Sequence, residues 1–175
     1  MMKYKELSLR ALEPEDLELL YGWENNVSYW SISNTIMPFS RYTLKRYLED
    51  SHKSIYETGQ VRLMIDHIAD NATIGTIDIF DFDPFHKRAG IGILIANEKY
   101  RRKGYATMAL KCLIDYCFGT LMLHQLHCGI MANNAESIDL FKKVGFIQSG
   151  IKKEWIRTSD GYMDEYIFQM INPDA

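Results

Sequence analysis

Arg101-Arg102-Lys103-Gly104-Tyr105-Ala106 stands where a strand pattern, Ala89 to Ala96, gives way to a helical one, Gly104 to Phe118. The helix is read from apolar residues at Ala106, Ala109, Leu110, Leu113, Ile114 and Cys117, the spacing of one buried face, and Gly119 ends it. At such a junction the first backbone N–H groups of the helix have no partner, and with the helix dipole they make an anion site. Gly104 lets a phosphate approach the backbone closely, while Arg101, Arg102 and Lys103 add positive charge beside it. A pyrophosphate-bearing ligand fits this junction; taken alone, the hexapeptide reads equally well as a basic turn that solubilises a loop.

Toward the N-terminus the pattern is mostly of strands. Ala89 to Ala96 follows a strand at Thr73 to Phe80 across a polar loop, Asp81 to Lys87, and Gln60 to Ile65 precedes it across a turn at Asp70-Asn71. Tyr4 to Arg10 alternates as a first strand, and Glu13-Pro14-Glu15-Asp16 opens a helix that runs to about Trp23. Glu24 to Ser40 has no clean period and carries Asn25, Asn26, Asn34 and Pro38, which predicts a loop with broken helix near a ligand. Ser40 caps a second helix, through Arg41 to about Ser51.

Toward the C-terminus, Leu123 to Met131 reads as a buried strand and Ala135 to Lys143 as a short helix stopped by Gly145. Phe146 to Arg157 and Tyr162 to Met170 are two strands joined by a hairpin turn at Ser159-Asp160-Gly161. The order predicts an α/β (α+β) fold in which a mixed, mostly antiparallel sheet of about seven strands is covered by about four helices. Nothing in residues 1–175 marks a linker or a repeat, so one domain is expected.

Composition excludes several function classes. With 20 basic and 23 acidic residues, a net charge of -3 and no long basic run, the chain lacks the basic face of a nucleic-acid binder and suits a cationic small molecule better. Cys112, Cys117 and Cys128 are odd in number, lack C-x-x-C spacing and lie in apolar segments, so they read as reduced core thiols. The first ten residues are charged, with no apolar run, and neither a signal peptide nor a membrane span is predicted; a cytoplasmic location is expected. The five histidines have no metal-like pairing, and no metal is predicted. A dinucleotide fingerprint fails because Ile95 stands where Gly90-x-Gly92 needs its third glycine, and there is no phosphate-loop lysine motif.

Arg101-Arg102-Lys103-Gly104-Tyr105-Ala106 resembles the [Q/R]-x-x-G-x-[G/A] pyrophosphate loop of the GNAT superfamily of acetyl-CoA-dependent N-acetyltransferases. Asn134 to Phe146 resembles that family's N-x-x-S-x-x-(aromatic)-x-K-x-G-F segment, and with Leu7 to Leu17 and Asp160-Gly161-Tyr162-x-Asp164 the likeness spans nearly the whole chain. The branch it looks most like is the RimJ/RimL type, which includes spermidine and diamine acetyltransferases. The resemblance implies acetyl-CoA as donor, a small amine such as a polyamine as acceptor, and attack within a ternary complex. It also implies a sheet whose fourth and fifth strands splay apart, and a homodimer as the form of assembly.

Residue by residue, the resemblance implies that Arg101 and the amides of Arg102, Lys103, Gly104, Tyr105 and Ala106 hold the CoA pyrophosphate. Leu94, Ile95 and Ala96 would bond the pantetheine arm as an added strand, with the N–H of Ile95 or its neighbour polarising the thioester carbonyl. Asn134 would meet the CoA arm while capping the helix that starts at Ala135. Glu24, Asn25, Tyr29 and Trp30 would line the acceptor pocket, where rings and carboxylates suit a cation. Asp78, Asp81 and Glu154 are candidates for the base that an ammonium nucleophile needs, Asp78 being preferred because it alternates with apolar neighbours.

Two departures bear on the chemistry. Phe141 stands where many relatives carry a tyrosine acid and cannot donate a proton, although a thiol pKa near 8.5 makes thiolate a fair leaving group unaided. Gly90 stands where polyamine-acetylating relatives often place a glutamate. Two other readings are therefore carried beside the first: acetylation of protein N-termini, and a weakly catalytic acyl-CoA-binding module. Gly104→Val is expected to abolish CoA binding while the protein still folds; unchanged affinity in a calorimetric titration of the folded variant would refute the pyrophosphate loop.

Overall fold

The structure, a computed structural model, describes residues 1–33 and 35–174. Its centre is an eight-stranded sheet: β1 (Met2–Tyr4), β2 (Leu7–Arg10), β3 (Val61–His67), β4 (Ala72–Asp83), β5 (Arg88–Ile95), β6 (Gln125–Met131), β7 (Ile147–Thr158) and β8 (Gly161–Ile171). Strands follow the order β1-β2-β3-β4-β5-β6-β8-β7, antiparallel everywhere except between β5 and β6. Parallel neighbours need a long crossover, and α5 (Tyr105–Gly119) supplies it. The other helices are α1 (Leu17–Glu24), α2 (Val27–Ser33), α3 (Arg41–Asp50), α4 (Ile55–Thr58) and α6 (Ala135–Lys143).

Three differences from the sequence reading have local causes. The alternating run from Tyr4 to Arg10 is a hairpin, in which Lys5 at φ +54° turns the chain and Tyr4 faces Leu7; the sheet therefore has eight strands where about seven were expected. Among the described residues, six α-helices stand where about four were expected. The added ones are short: α2 lies inside the segment read as broken helix, and α4 is a single turn. The signal for α4 was present, since Ser54 and Glu57 form a capping box and Gly59 closes the turn at φ +69°. Finally, β4 runs on through the supposed loop to Asp83, because a bulge with Asp81 at φ +49° lets the ladder resume at Asp83 and Arg88. Asn34, read as part of the loop before Ser40, lies outside the described residues.

Alternation divides the sheet into two faces. Leu7, Leu9, Ile65, Ile77, Ile79, Ile91, Leu126, Cys128 and Phe168 turn to one face, where they pack under the apolar stripe of α5 and against Phe141, Val144 and Phe146. On the other face of β2 to β4, Met64 packs with Leu12, Leu20 and Leu44 beneath α1 and α3. Cys112, Cys117 and Cys128 are free and buried, and burial pushes the Cys117 and Cys128 thiols up to about 12. No helix among the described residues is long and apolar enough to cross a membrane.

One ionic centre joins the start of the chain to the sheet. Arg10 grips buried Asp16 with both terminal nitrogens, at 2.7 and 2.8 Å, and reaches Asp66 through Nε at 2.7 Å. Burial alone would raise the Asp16 carboxyl, but the Arg10 guanidinium and the Glu13 N–H outweigh it and hold it below the usual carboxylate value. A carboxyl depressed by folding stabilises the native state at pH above its unfolded value, about 3.9, and the contribution disappears as pH falls through the folded value. Asp16→Asn is thus expected to lower the melting temperature at pH 7 and to flatten the acid limb of stability below about pH 4, both measurable by thermal denaturation across pH.

At Gly75, a Cβ would lie 2.0 Å from the Leu94 carbonyl oxygen of the paired strand. Because that atom is backbone, the two strands themselves would have to part. Gly75→Ala is expected to destabilise by at least about 2 kcal/mol in urea denaturation, whereas Gly22→Ala, where nothing lies within 4 Å, should not destabilise at all.

Candidate active site

The parallel pairing of β5 with β6 lasts only from Arg88, Ala89 and Gly90 to Gln125, Leu126 and His127. Beyond it the strands diverge, so Ile91 to Ile95 have β4 on one side and a gap on the other. Ladder alternation decides which amides meet the gap. Ala96 donates to Ile74 across β4, so Leu94 and Gly92 also turn their N–H groups to β4, while Ile93 and Ile95 turn theirs to the gap. Leu94 and Ala96 therefore use their amides within the sheet; Ile95 and Ile93 present theirs to whatever enters. Ile93 was missed in the sequence, although period two from Ile95 would have named it.

At the far end of β5 lies the turn into α5. Arg102 at φ +58° and Gly104 at φ +85° both take the left-handed conformation, and Gly104 is the N-cap residue, with open space where a Cβ would be. The first intrahelical bond runs from Met108 to Gly104, which leaves the amides of Tyr105 and Ala106 without helical acceptors. The three cations divide their work. Arg101 turns inward, donating from Nε to the Ile95 carbonyl at 2.8 Å and from Nη2 to the Tyr29 hydroxyl at 2.9 Å. Arg102 pairs with Glu136 at 2.7 Å on the surface, and Lys103 stays exposed near the Tyr100 ring. Arg101 thus braces the end of β5, and its charge is partly committed there.

A cavity of about 710 Å³ begins at the gap and continues under α1 and α3. Leu94, Asn134 and Phe141 border it on the strand side; Trp23, Glu24, Tyr29, Tyr47, Arg62 and Asp78 border it on the helix side. Asn134 both lines the cavity and caps α6, its Oδ1 accepting from Ser137 N–H at 3.1 Å. Phe141 is buried edge-to-face against Phe146, with centroids 5.2 Å apart. Ile95, Ala96 and Arg101 to Ala106 lie outside this cavity wall, Asn25 and Trp30 likewise. Asn25 ties the end of α1 to Phe39, donating to its carbonyl at 3.0 Å and accepting from its N–H at 2.8 Å, and Trp30 donates to the Glu24 carbonyl at 2.9 Å. Tyr29 donates its hydroxyl to the Ala96 carbonyl at 2.9 Å, so α2 is fastened to the end of β5.

Arg62, absent from the sequence reading, organises the cavity floor. Its Nε and Nη2 bind Asp78 at 2.6 and 3.2 Å, and its Nη1 binds Glu24. Burial would lower the guanidinium's affinity for its proton, but the two carboxylates more than reverse this and hold it above the ordinary arginine value. Two carboxylates on one guanidinium leave an excess negative charge facing the cavity. The Tyr47 phenol nearby is pushed up, by burial first. A lone arginine in an apolar strand was a visible signal; that Arg62 pairs with Asp78 is a matter of register. Buried Glu165, salt-bridged to Lys152 at 2.8 Å, is a second charged residue that the sequence reading missed, and it occupies the space that Gly129 leaves, where a Cβ would come within 2.6 Å of it.

Residues 6–147 match the family described as Acetyltransferase (GNAT) domain. Spermidine N(1)-acetyltransferase of Vibrio cholerae serotype O1 is 27% identical over 162 residues, covering 91% of this chain and 89% of that protein. The Escherichia coli K12 spermidine N(1)-acetyltransferase is 31% identical over 147 residues, 82% of this chain and 74% of that protein. In fold, the chain superposes with a TM-score of 0.86 on the Vibrio cholerae spermidine N-acetyltransferase crystallised with CoA and spermine, at 24% identity over 95% of this chain and 96% of that one. A dodecameric structure of the Vibrio cholerae enzyme matches at 26% identity and a TM-score of 0.79, over 95% and 94%. Parted strands that expose two amides, a glycine-capped helix beyond them and a match over most of the chain agree: this protein belongs to the GNAT acetyltransferases and takes its acetyl group from acetyl-CoA.

Proposed function

We propose that this enzyme acetylates a primary amine of a small polyamine, by direct attack on acetyl-CoA in a ternary complex, and that it belongs to the RimJ/RimL-type branch of the family. The observation that carries the reading is the cavity of about 710 Å³, which joins the excess negative charge of Glu24, Asp78 and Arg62 to the gap between β5 and β6. A cationic acceptor is drawn to such a floor, and Trp23, Tyr29 and Tyr47 offer ring faces to its methylene chain and its charge. Spermidine acetylation by the Vibrio cholerae and Escherichia coli relatives supports the same class.

In this reading the pyrophosphate rests on the amides from Arg102 to Ala106, with Lys103 adding charge, and the pantetheine arm bonds along the open edge of β5. The N–H of Ile95, or of Ile93 two residues earlier, donates to the thioester oxygen and stabilises the oxyanion that forms as the amine attacks. Asp78, with both oxygens engaged by Arg62, contributes to catalysis by attracting and orienting the ammonium. Phe141 leaves the departing thiolate without an acid from that position, which the thiolate tolerates. We further take residues 1–175 to act as one catalytic domain, in the cytoplasm, assembled with copies of itself. The exposed Ile147, Ile151 and Trp155 along edge strand β7 suit such contacts, as does the dodecameric Vibrio cholerae relative.

Thiol release from acetyl-CoA should be measured across polyamines, amino sugars, amino acids and N-terminal peptides. Turnover is expected with spermidine or a similar polyamine; turnover of peptides alone would move the acceptor to protein N-termini, and saturable acetyl-CoA binding without thiol release would make the chain a binding module. Glu24→Gln keeps a hydrogen-bonding partner for Arg62 but removes one negative charge. It is expected to raise KM for the polyamine by about tenfold, the equivalent of roughly 1.4 kcal/mol, and to leave KM for acetyl-CoA unchanged.

A further inference from the structure

His127 on β6 stands where the β5 and β6 strands part, its position in the ladder opposite Gly90. It borders the large cavity, and with Asp81 it also borders a second cavity of about 340 Å³ completed by Asp83, Arg88, Gln125, Ile167 and Gln169. Two residues, His127 and Asp81, are thus the partition between the acceptor cavity and this second, polar space. The ring meets Phe80 edge-on, with centroids 6.2 Å apart, and makes no side-chain hydrogen bond among the described residues. Phe80 in turn fills the space that Gly90 leaves bare, since a Cβ there would come within 2.3 Å of its ring.

Acetylating an amine requires a proton acceptor, because the nucleophile arrives as an ammonium. Of the carboxylates that face the large cavity, Glu24 and Asp78 are engaged by Arg62 and Glu165 by Lys152; Asp81, the fourth, lines both cavities with His127 and is placed to relay a proton from it. Resting on the acetyl-transfer reading, we propose that His127 is the base that takes the ammonium proton of the acceptor, directly or through one water, and passes it to the second cavity. The imidazole accepts one proton from R–NH3+, giving R–NH2 and imidazolium, and releases it past Asp81 to solvent. The free amine's lone pair then forms the C–N bond to the thioester carbonyl, the C–S bond breaks, and the remaining surplus amine proton ends on the departing thiolate as CoA-SH.

The surroundings keep the ring ready to accept. Burial lowers its proton affinity below the ordinary histidine value; among the charges around it, Asp81 opposes this while Arg88 and Lys152 add to it. Asp83, ion-paired with Arg88, lines the second cavity with it; Glu165, ion-paired with Lys152, and Asp78 and Glu24, both held by Arg62, line the first, and Asp164 on β8 pairs with Lys153. A shift in this direction favours the neutral imidazole, the form that can accept a proton.

The test is the pH dependence of kcat/KM for the polyamine most rapidly turned over, in the full-length protein and in His127→Gln. The unsubstituted enzyme should show an acidic limb with its midpoint below about 6.5. In His127→Gln that limb should vanish and the rate at pH 7 should fall by roughly 10²-fold or more, with acetyl-CoA affinity unchanged. A variant within about threefold of the parent, its limb intact, overturns the assignment. Carbon-13 NMR titration of His127 in the unsubstituted protein decides independently of the variant's folding: its midpoint must coincide with the kinetic limb, and a mismatch overturns the proposal. An enzyme that turns over no amine at all would instead remove the acetyl-transfer reading, a failure visible before any substitution is made.

Discussion

The hydrogen bonds that β5 and β6 share, and then cease to share, are the constraint from which the site follows. Three residue pairs hold the strands parallel, and α5 has to carry the chain back across the sheet to make that pairing possible. Had the ladder continued, Ile93 and Ile95 would donate to β6 and the sheet would close. Because it stops, an edge that belongs to the middle of the sheet is left open, flanked by β4 on the other side. An extended ligand can complete it, and the helix that made the crossover presents its uncapped amides at the end of the same strand.

A second constraint is the ion network on the helix side of the cavity. Arg62, Glu24 and Asp78 are partly removed from water, where a paired charge contributes little net stability and an orphaned one is expensive. Their arrangement is better understood as fixing a field than as holding the fold. The fold on that side is held by Leu12, Leu20, Leu44 and Met64, and the entrance by Tyr29 and Arg101 on the carbonyls at the end of β5. The start of α2 is thereby tied directly to the end of the strand whose open amides we propose as oxyanion donors.

What could be seen in the sequence was what depends on local pattern. The apolar stripe from Ala106 to Cys117, the Ser40 cap, the hairpin at Ser159-Asp160-Gly161 and the glycine turn at Gly104 all report on neighbours within a few residues, and each element is found there. The hairpin at Lys5 and the bulge at Asp81 were not seen, because both keep the alternation of a strand while altering its path. In the site, the loop Arg101 to Ala106 and the strand end at Ile95 were legible; the distribution of its cations was not. Arg101 shares its basic character with its sequence neighbours, while its partners within the chain, Tyr29 and the Ile95 carbonyl, come from elsewhere in the fold. Arg62 and His127 were overlooked for a related reason: a charge or an imidazole in an apolar strand acquires meaning only when the register shows which face it shares, and with which carboxylates.

The three cysteines carry a practical consequence. All are buried, and two of them hold their protons up to about pH 12, so in the folded protein they present almost no thiolate to an electrophile. An enzyme whose product is itself a thiol therefore contributes little background to reagents that count thiols. On unfolding, Cys112, Cys117 and Cys128 become reactive together, and the same reagent then reports the lifetime of the native core beneath α5.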